Sequence, residues 1–353
     1  MYTFLFYLPF LLFFVLVAVY GERKIAAFIQ SRFGPMDVGP KGMFQTLADL
    51  LKMIQKEDIV PKAADKPIFL LGPILVFTAI FAGFSMLPLN ANIAGAAVES
   101  GVLLLMAVVS LDVLGILMAG WGSNNKFSLY GAVRAIAQII SFEIPLGLSV
   151  LCVVMLGQSM DLQEITRQQG LYTIDPIFLF GLKGMDIEVT QMGGILSWNV
   201  VKSPLLLFSF LIFFIAGLAK ANRAPFDLPE SESELVGGYH TEYSGFRWGI
   251  FMLAEYGIML LISFLAVILF FGGWNTPFIN IGSLHWANWT MGNFWEVFWL
   301  LSKTLILVFV QMWVRWTYPR LRVDQLMTLS WKYLIPFGLI LVFLCGLWKL
   351  MML

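Results

Sequence analysis

Charged residues are scarce in this sequence. Asp, Glu, Lys and Arg make up 12% of its 353 residues, whereas soluble domains carry about 25%. Apolar residues make up 59%, so the chain must contain long uncharged stretches, which are typical of a membrane protein. The formal net charge is zero, and there is neither a polybasic nor an acidic tail, so we expect no nucleic-acid partner.

Cysteine and histidine are also scarce, with two of each. Cys152 and Cys345 lie in separate apolar runs without a CxxC neighbour, which excludes a thiolate site for zinc or an iron–sulfur cluster. A disulfide would require these two positions inside spans to meet, and nothing in the sequence supports that. His240 and His285 are far apart, and no GxGxxG motif or P-loop follows a strand. We therefore expect no metal, flavin or iron–sulfur centre in this chain.

Eight apolar runs approach the length needed to cross a membrane, which is about 20 residues for a hydrocarbon core about 30 Å thick. They lie near residues 2–20, 68–89, 99–121, 135–157, 204–219, 247–271, 294–315 and 333–352. These runs predict an all-α fold, a polytopic transmembrane helical bundle of about eight spans in a single integral membrane domain, 1–353. The first run is not a signal peptide, because it lacks a basic n-region and a small-residue cleavage site.

Lys and Arg are distributed unequally between alternate connections. With the N-terminus outside, connections 21–67, 122–134, 220–247 and 315–332 face the cytoplasm and hold 17 of these residues, whereas the outer side holds 4. Cytoplasmic loops are enriched in Lys and Arg, so we expect both termini on the outer side. No internal repeat is visible, which argues against a transporter built from inverted repeats.

An amphipathic helix is predicted on the cytoplasmic side, around residues 42–57 of the first loop. Four apolar and four polar residues recur at helical spacing on separate faces. The apolar residues are Met43, Leu47, Leu50 and Ile54, and the polar residues are Gln45, Asp49, Lys52 and Lys56. Such a helix lies in the membrane interface, or it forms the wall of a site with its polar face inward. The pattern leaves both interpretations open.

Four ionisable residues fall inside predicted spans, where a charge at a helix centre costs at least about 2.5–3.5 kcal/mol. They are Asp112, Glu143, Glu255 and Lys303. Pro145 follows Glu143 and removes a backbone donor, which predicts a kink and room for water beside the carboxylate. Proton transfer is one interpretation of Glu143, and an ion pair that serves packing alone is the other.

The third loop carries five carboxylates within sixteen residues. They are Asp227, Glu230, Glu232, Glu234 and Glu242. Asp227 and Glu230 have the spacing of a helix N-cap and its capping-box partner, and Gly237-Gly238 would end that helix. Carboxylates that share a partly dry site hold protons more tightly, which suits a proton relay. A solvated acidic loop is the alternative, but the flanking spans and the interleaved Pro, Phe, Leu and Val favour the relay.

Four blocks of this sequence are distinctive. The first loop reads ERKIAAFIQSRFGPMDVGPKG and QTLADLLKMIQKE, and the second loop with its following span reads GWGSNNKFSLYGAVRAIAQIISFEIPLG. The third loop reads ANRAPFDLPESESELVGGYHTEYSGFRWGIFMLAEY, and the last reads WTYPRLRVDQLMTLSWKYLIP. In this order the blocks resemble the H subunit of respiratory complex I, the proton-pumping NADH:quinone oxidoreductase. This family includes mitochondrial NADH dehydrogenase subunit 1.

The resemblance implies a subunit without a redox centre that takes a quinone, ubiquinone or menaquinone, as substrate and begins the acidic path coupling quinone chemistry to proton pumping. Its implied partners are the hydrophilic-arm subunits, the other membrane-arm subunits and the lipid bilayer of a bacterial inner membrane. The matching quinone-tunnel positions are Gln30, Arg32, Phe33, Asp49, Lys52, Phe226, Arg320 and Asp324. The proton-path positions are Glu143, Glu230, Glu232, Glu234, Glu242 and Glu255, with Asp112 and Lys220 as features of this chain.

Two features depart from the family pattern. Lys220 stands where the family commonly has Glu before the Asn-Arg pair, and such a cation would pair with Glu143 or with a loop carboxylate. The outer connection 158–203 is longer than is typical, and its alternating text FGLKGMDIEVTQMGG predicts a short hairpin.

Two other functions are consistent with a membrane bundle of this kind. The first is the membrane anchor of an energy-converting hydrogenase, which shares the acidic loop but reduces no quinone. The intact strings SRFGP and YPRLRVDQL favour the quinone-reactive subunit. The second is a stand-alone ion or solute carrier, which would function without partner subunits.

Overall fold

The computed structural model describes residues 2–93, 95, 98–171, 173, 178, 190, 192–228, 232–280, 285–290 and 292–352. Within these residues the regular elements are helices, and the predicted all-α class is confirmed. In chain order the α-helices are α1 (Tyr2–Ile29), α2 (Gln45–Gln55), α3 (Lys66–Phe84), α4 (Gly101–Val109), α5 (Asp112–Gly122), α6 (Lys126–Gly157), α7 (Leu162–Arg167), α8 (Asn199–Lys202), α9 (Pro204–Lys220), α10 (Glu232–Leu235), α11 (Gly245–Phe270), α12 (Trp286–Trp289), α13 (Asn293–Thr317), α14 (Val323–Thr328) and α15 (Ile335–Met352). A π-helical turn, Leu329–Leu334, joins α14 to α15.

Seven helical segments of the described chain are long and apolar enough to cross a membrane. They are Leu5–Ile29, Lys66–Phe84, Gly101–Gly122, Lys126–Gly157, Gly245–Phe270, Asn293–Thr317 and Val323–Met351. The remaining apolar run forms α9, which is shorter, with 17 residues. The predicted polytopic membrane bundle is therefore confirmed.

Helix α11 is the centre of the bundle. It packs against α1, α3, α9 and α13, and 94% of its most apolar stretch is buried within the chain. A helix that is apolar on every side is buried on every side, so α11 has no stripe that must face lipid. Because the third loop leads directly into α11, that loop reaches the middle of one end of the bundle.

The third span is broken inside the membrane. Ser110 and Leu111 form a turn that separates α4 from α5. Helix α5 then packs closely on α3, because a Cβ added at Gly72 would lie only 3.1 Å from the Cβ of Ala119. The break leaves the buried Asp112 at the first residue of a helix.

The proline of α6 is matched by the irregular turn of the last span. Pro145 has no N–H, so the carbonyl of Ser141, one turn earlier, loses its usual helical donor. Ser330 in the π-helical turn donates its hydroxyl to that carbonyl at 2.6 Å, and Trp331 Nε1 donates to Ser141 Oγ at 3.2 Å. Helix α6 continues without interruption through the proline. These bonds hold the last span against α6 two residues before Glu143.

The predicted amphipathic helix of the first loop is α2. It begins at Gln45, three residues after the predicted boundary, and packs against α1 and α11. Its residues Leu47, Leu51 and Ile54 are 42%, 52% and 57% exposed. An apolar face of α2 is therefore uncovered in the isolated chain.

Two expectations concern the outer half of the chain. The hairpin predicted within 158–203 falls mostly outside the described residues. Cys152 and Cys345 were not expected to meet, and that expectation was wrong. Their side chains hydrogen-bond between α6 and α15, and both thiols are free. Two positions so far apart in the chain carry no local pattern that would predict this contact.

Candidate functional site

Helix α6 supplies partners for two acids of the third loop. Its N-cap, Asn125, donates to Glu242 at 2.5 Å. Further along the helix, Arg134 forms an ion pair with Glu234 at 2.5 Å. Of the other two predicted acids, Glu230 lies outside the described residues, and only the backbone of Glu232 is described, as the start of α10.

Two further contacts hold the third loop on α6. Gln138 Nε2 donates to the carbonyl oxygens of Ala219 and Phe226, each at 2.7 Å. A Cβ added at Gly131 would lie 2.7 Å from Gly238 Cα, so only glycine permits this approach of helix and loop. The loop cannot leave α6 without breaking buried hydrogen bonds.

A buried ion pair lies where α5, α6 and α9 meet. The Lys220 ammonium binds Glu143 Oε1, and the two side chains are 4% and 23% exposed. Asp112 is 3% exposed, and its carboxylate is near enough for the charges of both residues to act on it. Of the partners that the sequence leaves open for Lys220, the structure has Glu143. Three ionisable groups thus share one location inside the membrane.

The end of the third loop adds a buried acid and two tyrosines. Tyr239 donates its hydroxyl to Glu255 at 3.1 Å, and both are buried. Tyr243 stacks on Phe69 with ring centroids 4.0 Å apart and donates to the Phe69 carbonyl at 2.9 Å. Burial raises the pKa of the Tyr243 phenol above its usual value, so this group remains a hydrogen-bond donor. Tyr243 thereby fixes the start of α11 against α3.

The largest ionic cluster was not predicted. Glu22 of α1 is 5% exposed and forms an ion pair with Arg315 of α13. Tyr256 of α11 donates to the second Glu22 oxygen at 2.6 Å. Arg223 at the start of the third loop lies 3.9 Å from that oxygen and 4.3 Å from the centre of the Tyr256 ring. We call Glu22, Glu143, Lys220, Arg223 and Arg315 the ionic region.

The sequence holds little that would reveal the Glu22 cluster. Glu22, Arg223 and Arg315 each lie at the end of an apolar run, where charged residues normally face the aqueous interface. Their burial depends on α1, α11 and α13 converging at one end of the bundle, which is a tertiary property.

The last loop packs against the third loop. Arg320 forms an ion pair with Asp227 at 2.9 Å, and Leu321 N donates to the Pro225 carbonyl at 3.0 Å. Phe226, between Pro225 and Asp227 in the chain, is buried. Two predicted tunnel residues, Phe226 and Arg320, are therefore brought into one neighbourhood.

The first loop contributes a third predicted tunnel residue. Asp49 on α2 forms an ion pair with Arg23 at 2.6 Å and accepts from Gln45 at 3.1 Å. Because Arg23 follows Glu22 directly, Asp49 lies beside the ionic region. The other predicted tunnel residues are exposed and make no side-chain hydrogen bond or ion pair within the described part of the chain. They are Gln30, Arg32, Phe33, Lys52 and Asp324.

A second buried polar region lies at the opposite end of α11. Lys303 of α13 is 9% exposed and donates to the carbonyl oxygens of Phe271 and Asn275, at 2.8 and 2.7 Å. Its ammonium also lies 4.6 Å from the centre of the Trp198 ring. Backbone carbonyls at the end of a helix carry partial negative charge, so a cation fits there without a carboxylate.

Gln169 completes this second region. Its Nε2 donates to the carbonyls of Ile165 and Ile268, each at 3.0 Å. Its Oε1 accepts from the amides of Asn199 and Gly272, at 3.1 and 3.0 Å. We call Gln169, Asn199, Asn275 and Lys303 the amide region. Among the residues that the structure describes, neither region contains a His, Cys, Asp and Glu grouping suited to a metal ion.

Comparison with known proteins identifies the family to which this arrangement belongs. The family model described as NADH dehydrogenase matches residues 2–346. The chain belongs to the NADH dehydrogenase family. A curated relative from Cytophaga hutchinsonii, the second of two H subunits of NADH-quinone oxidoreductase by its name, is 54% identical over all of both chains.

Other relatives in this family are also bacterial. The H subunit of NADH-quinone oxidoreductase from Chlorobaculum parvum is 49% identical and aligns with 94% of this chain and 86% of its own. The protein of the same name from a Geobacillus species is 43% identical and aligns with 95% of this chain and 89% of its own. The resemblance to the H subunit is therefore confirmed, and the chain is a multi-pass protein of a bacterial inner membrane.

Proposed function

We propose that this chain is the membrane subunit of a proton-translocating NADH:quinone oxidoreductase that forms the membrane-side part of the quinone tunnel and begins the acidic proton path. The observation that carries the proposal is the run of partners along α6. Asn125, Arg134 and Glu143 each contact an ionisable group of the third loop or its approach. The groups lead from the loop end of α6 toward the middle of the membrane.

The chemistry of these contacts supports proton transfer. A buried carboxylate held by an ammonium or guanidinium changes its protonation state when that partner moves, because an opposite charge nearby favours the ionised form. Glu143 is held by the Lys220 ammonium, and Glu255 by the hydroxyl donor of Tyr239. Intramembrane ionisable residues are costly, so their clustering here favours a function over packing alone.

Convergence of three loops supports a quinone tunnel beside the ionic region. A quinone needs an apolar channel for its isoprenoid tail and a few donors for its carbonyl oxygens. Phe226 and Arg320 supply one such combination at the contact of the third and last loops. Asp49 and Arg23 supply charged groups from the first loop.

Exposed apolar residues in the first loop support the proposed hydrophilic-arm partner. Phe28 and Phe33 are 87% and 91% exposed, and α2 leaves an apolar face uncovered. Large exposed apolar surfaces mark contact with protein or membrane. We place this loop on the cytoplasmic side, with both termini outside, because Lys and Arg concentrate in the connections on the same side as the first loop. Other membrane-arm subunits and lipid would cover the remaining apolar faces.

Two isosteric substitutions in the assembled complex test the proposal. Glu143→Gln removes proton exchange but keeps the size of the side chain, so proton pumping in proteoliposomes should be lost, whereas Glu99→Gln, at an exposed carboxylate, should pump normally. Asp49→Asn should lower quinone reductase activity while NADH oxidation by an artificial acceptor survives, and Asp37→Asn in the same loop is its control. Full pumping by Glu143→Gln would remove Glu143 from the path. Equal loss of both activities in Asp49→Asn would count against its place in the tunnel.

A further inference from the structure

The location shared by Asp112, Glu143 and Lys220 has one cation for two carboxylates. All three lie inside the membrane-spanning bundle, and Asp112 and Lys220 are 3% and 4% exposed. With both acids ionised the group would carry a net negative charge, and a buried charge without a partner is strongly unfavourable. One proton on either acid makes the group neutral.

The structure distinguishes the two acids. Lys220 binds Glu143 directly, so Glu143 is the ionised member. Asp112 Oδ1 has no hydrogen-bond partner among the described residues, although the charges of Lys220 and Glu143 act on its carboxylate. A neutral carboxylic acid tolerates such burial far better than a carboxylate does, so the proton resides on Asp112.

We infer that Lys220 exchanges between Glu143 and Asp112 and thereby decides which acid holds the proton. In the first state, which the structure has, Lys220 pairs with ionised Glu143 and Asp112 is protonated. In the second, Lys220 pairs with ionised Asp112 and the proton is on Glu143. One proton passes from Asp112 to Glu143 in this change, and the group stays neutral in both states.

The local structure suits such an exchange. A lysine ammonium sits on a flexible four-carbon stem with rotatable donors. Lys220 ends α9, while Asp112 begins α5 beside the turn at Ser110 and Leu111, so neither is held in the middle of an unbroken helix. Glu143 is 23% exposed at its side chain and Asp112 is enclosed. The exchange therefore rests on the proposed proton path, with Glu143 as the acid that communicates with its surroundings.

Infrared spectroscopy of the intact complex tests the resting state independently of pumping. Subtracting the spectrum of Asp112→Asn from that of the wild type should leave the band of a protonated, buried carboxylic acid. Lys220→Met removes the cation, so Glu143 should also become protonated and a second band should appear. Asp37→Asn, at an exposed loop carboxylate, should give no such difference. If Asp112→Asn removes no protonated band, the inference is wrong.

A double substitution tests the exchange itself. Asp112→Asn leaves Lys220 permanently on Glu143, so pumping should be lost in the assembled complex. Lys220→Glu alone places three carboxylates together, and pumping should be lost there as well. The pair Asp112→Asn with Lys220→Glu returns two interacting acids, the arrangement implied by the family pattern, and should recover pumping, because residues that act as one unit give non-additive effects. A double variant no better than either single variant would overturn the exchange.

These outcomes separate the exchange from the function on which it rests. Pumping that survives Glu143→Gln would refute the proposed path. Pumping that is lost in Glu143→Gln but unchanged in Asp112→Asn would refute the exchange alone.

Discussion

The two ends of helix α11 stabilise buried polar groups by different means. At the third-loop end, the ionic region pairs carboxylates with ammonium and guanidinium groups, as in Glu22 with Arg315 and Glu143 with Lys220. At the other end, the amide region holds Lys303 with backbone carbonyls and joins four elements through Gln169.

The difference separates a region that can exchange protons from one that fixes geometry. Amide side chains and backbone carbonyls do not titrate near neutral pH, so their hydrogen bonds persist whatever the proton supply. Carboxylate ion pairs rearrange when a proton arrives. One bundle thus combines a fixed end with an end able to transfer protons, and substitutions in the two regions should have different consequences.

The largest effect is expected for Glu22→Leu in the ionic region. This change leaves Arg223 and Arg315 without their shared carboxylate, and breaking a buried ion pair from one side costs about 3–5 kcal/mol. The amount of assembled complex on native gels and its Tm should both fall, whereas Glu57→Leu, at an exposed acid, should leave both unchanged. Partial recovery in Glu22→Leu with Arg315→Met would assign the loss to uncompensated charge. An unaltered Tm in Glu22→Leu would show that the cluster does not stabilise the fold.

A smaller effect of another kind is expected for Lys303→Met in the amide region. The carbonyls of Phe271 and Asn275 lose a donor, and an unsatisfied buried group costs about 1–3 kcal/mol. The Tm should fall, but protons pumped per NADH by the complex that assembles should remain at the wild-type value. Lower pumping per NADH in a complex of normal stability would remove the distinction between the two regions.

A backbone contact in the ionic half gives a third comparison. Gly131→Ala places a Cβ 2.7 Å from Gly238 Cα, and the resulting overpacking should cost about 1–2 kcal/mol and displace the third loop from α6. Quinone reductase activity should decrease while the complex still assembles. Gly147→Ala is the matched control, because a Cβ at Gly147 meets nothing within 4 Å. Similar activities of the two variants would show that the loop does not depend on this approach.

The smallest effect is expected for Ser330→Ala. The Ser141 carbonyl, which Pro145 leaves without a helical donor, would lose its bond to Ser330 Oγ. The loss should destabilise the complex by about 1 kcal/mol, visible as a small decrease in Tm. Thr78→Val removes a hydroxyl that bonds a carbonyl within its own helix and should change Tm less. A larger decrease in Thr78→Val would argue against the role of the proline-freed carbonyl.

Hydrophobic length was sufficient to predict most of the bundle from the sequence, because each span must satisfy its own backbone in lipid. The break between α4 and α5 was not predictable in this way. Ser110 and Leu111 contain neither glycine nor proline, and both fit a continuous helix. The meeting of Cys152 with Cys345 escaped prediction for a related reason, since helix adjacency leaves no trace in the hydropathy of either helix.

The candidate site was only partly predictable. Glu143 and Lys220 drew attention because charge inside an apolar run is rare, and the structure has them in contact. Glu22 and Arg315 did not, because charges at the ends of spans are ordinary. The positions of Gln30, Arg32 and Phe33 in the proposed tunnel rest on the family pattern, since within the described part of this chain their side chains contact none of the other polar groups of the site.

The ion pair between Glu22 and Arg315 joins residues 293 positions apart, which has a consequence for biosynthesis. The ribosome delivers α1 to the membrane long before it makes α13. Until then Glu22 has no Arg315, and the first helix must remain where water or another protein can accommodate its carboxylate. The final position of the first helix is therefore reached only late in translation, and membrane insertion of this chain cannot be completed strictly one helix at a time.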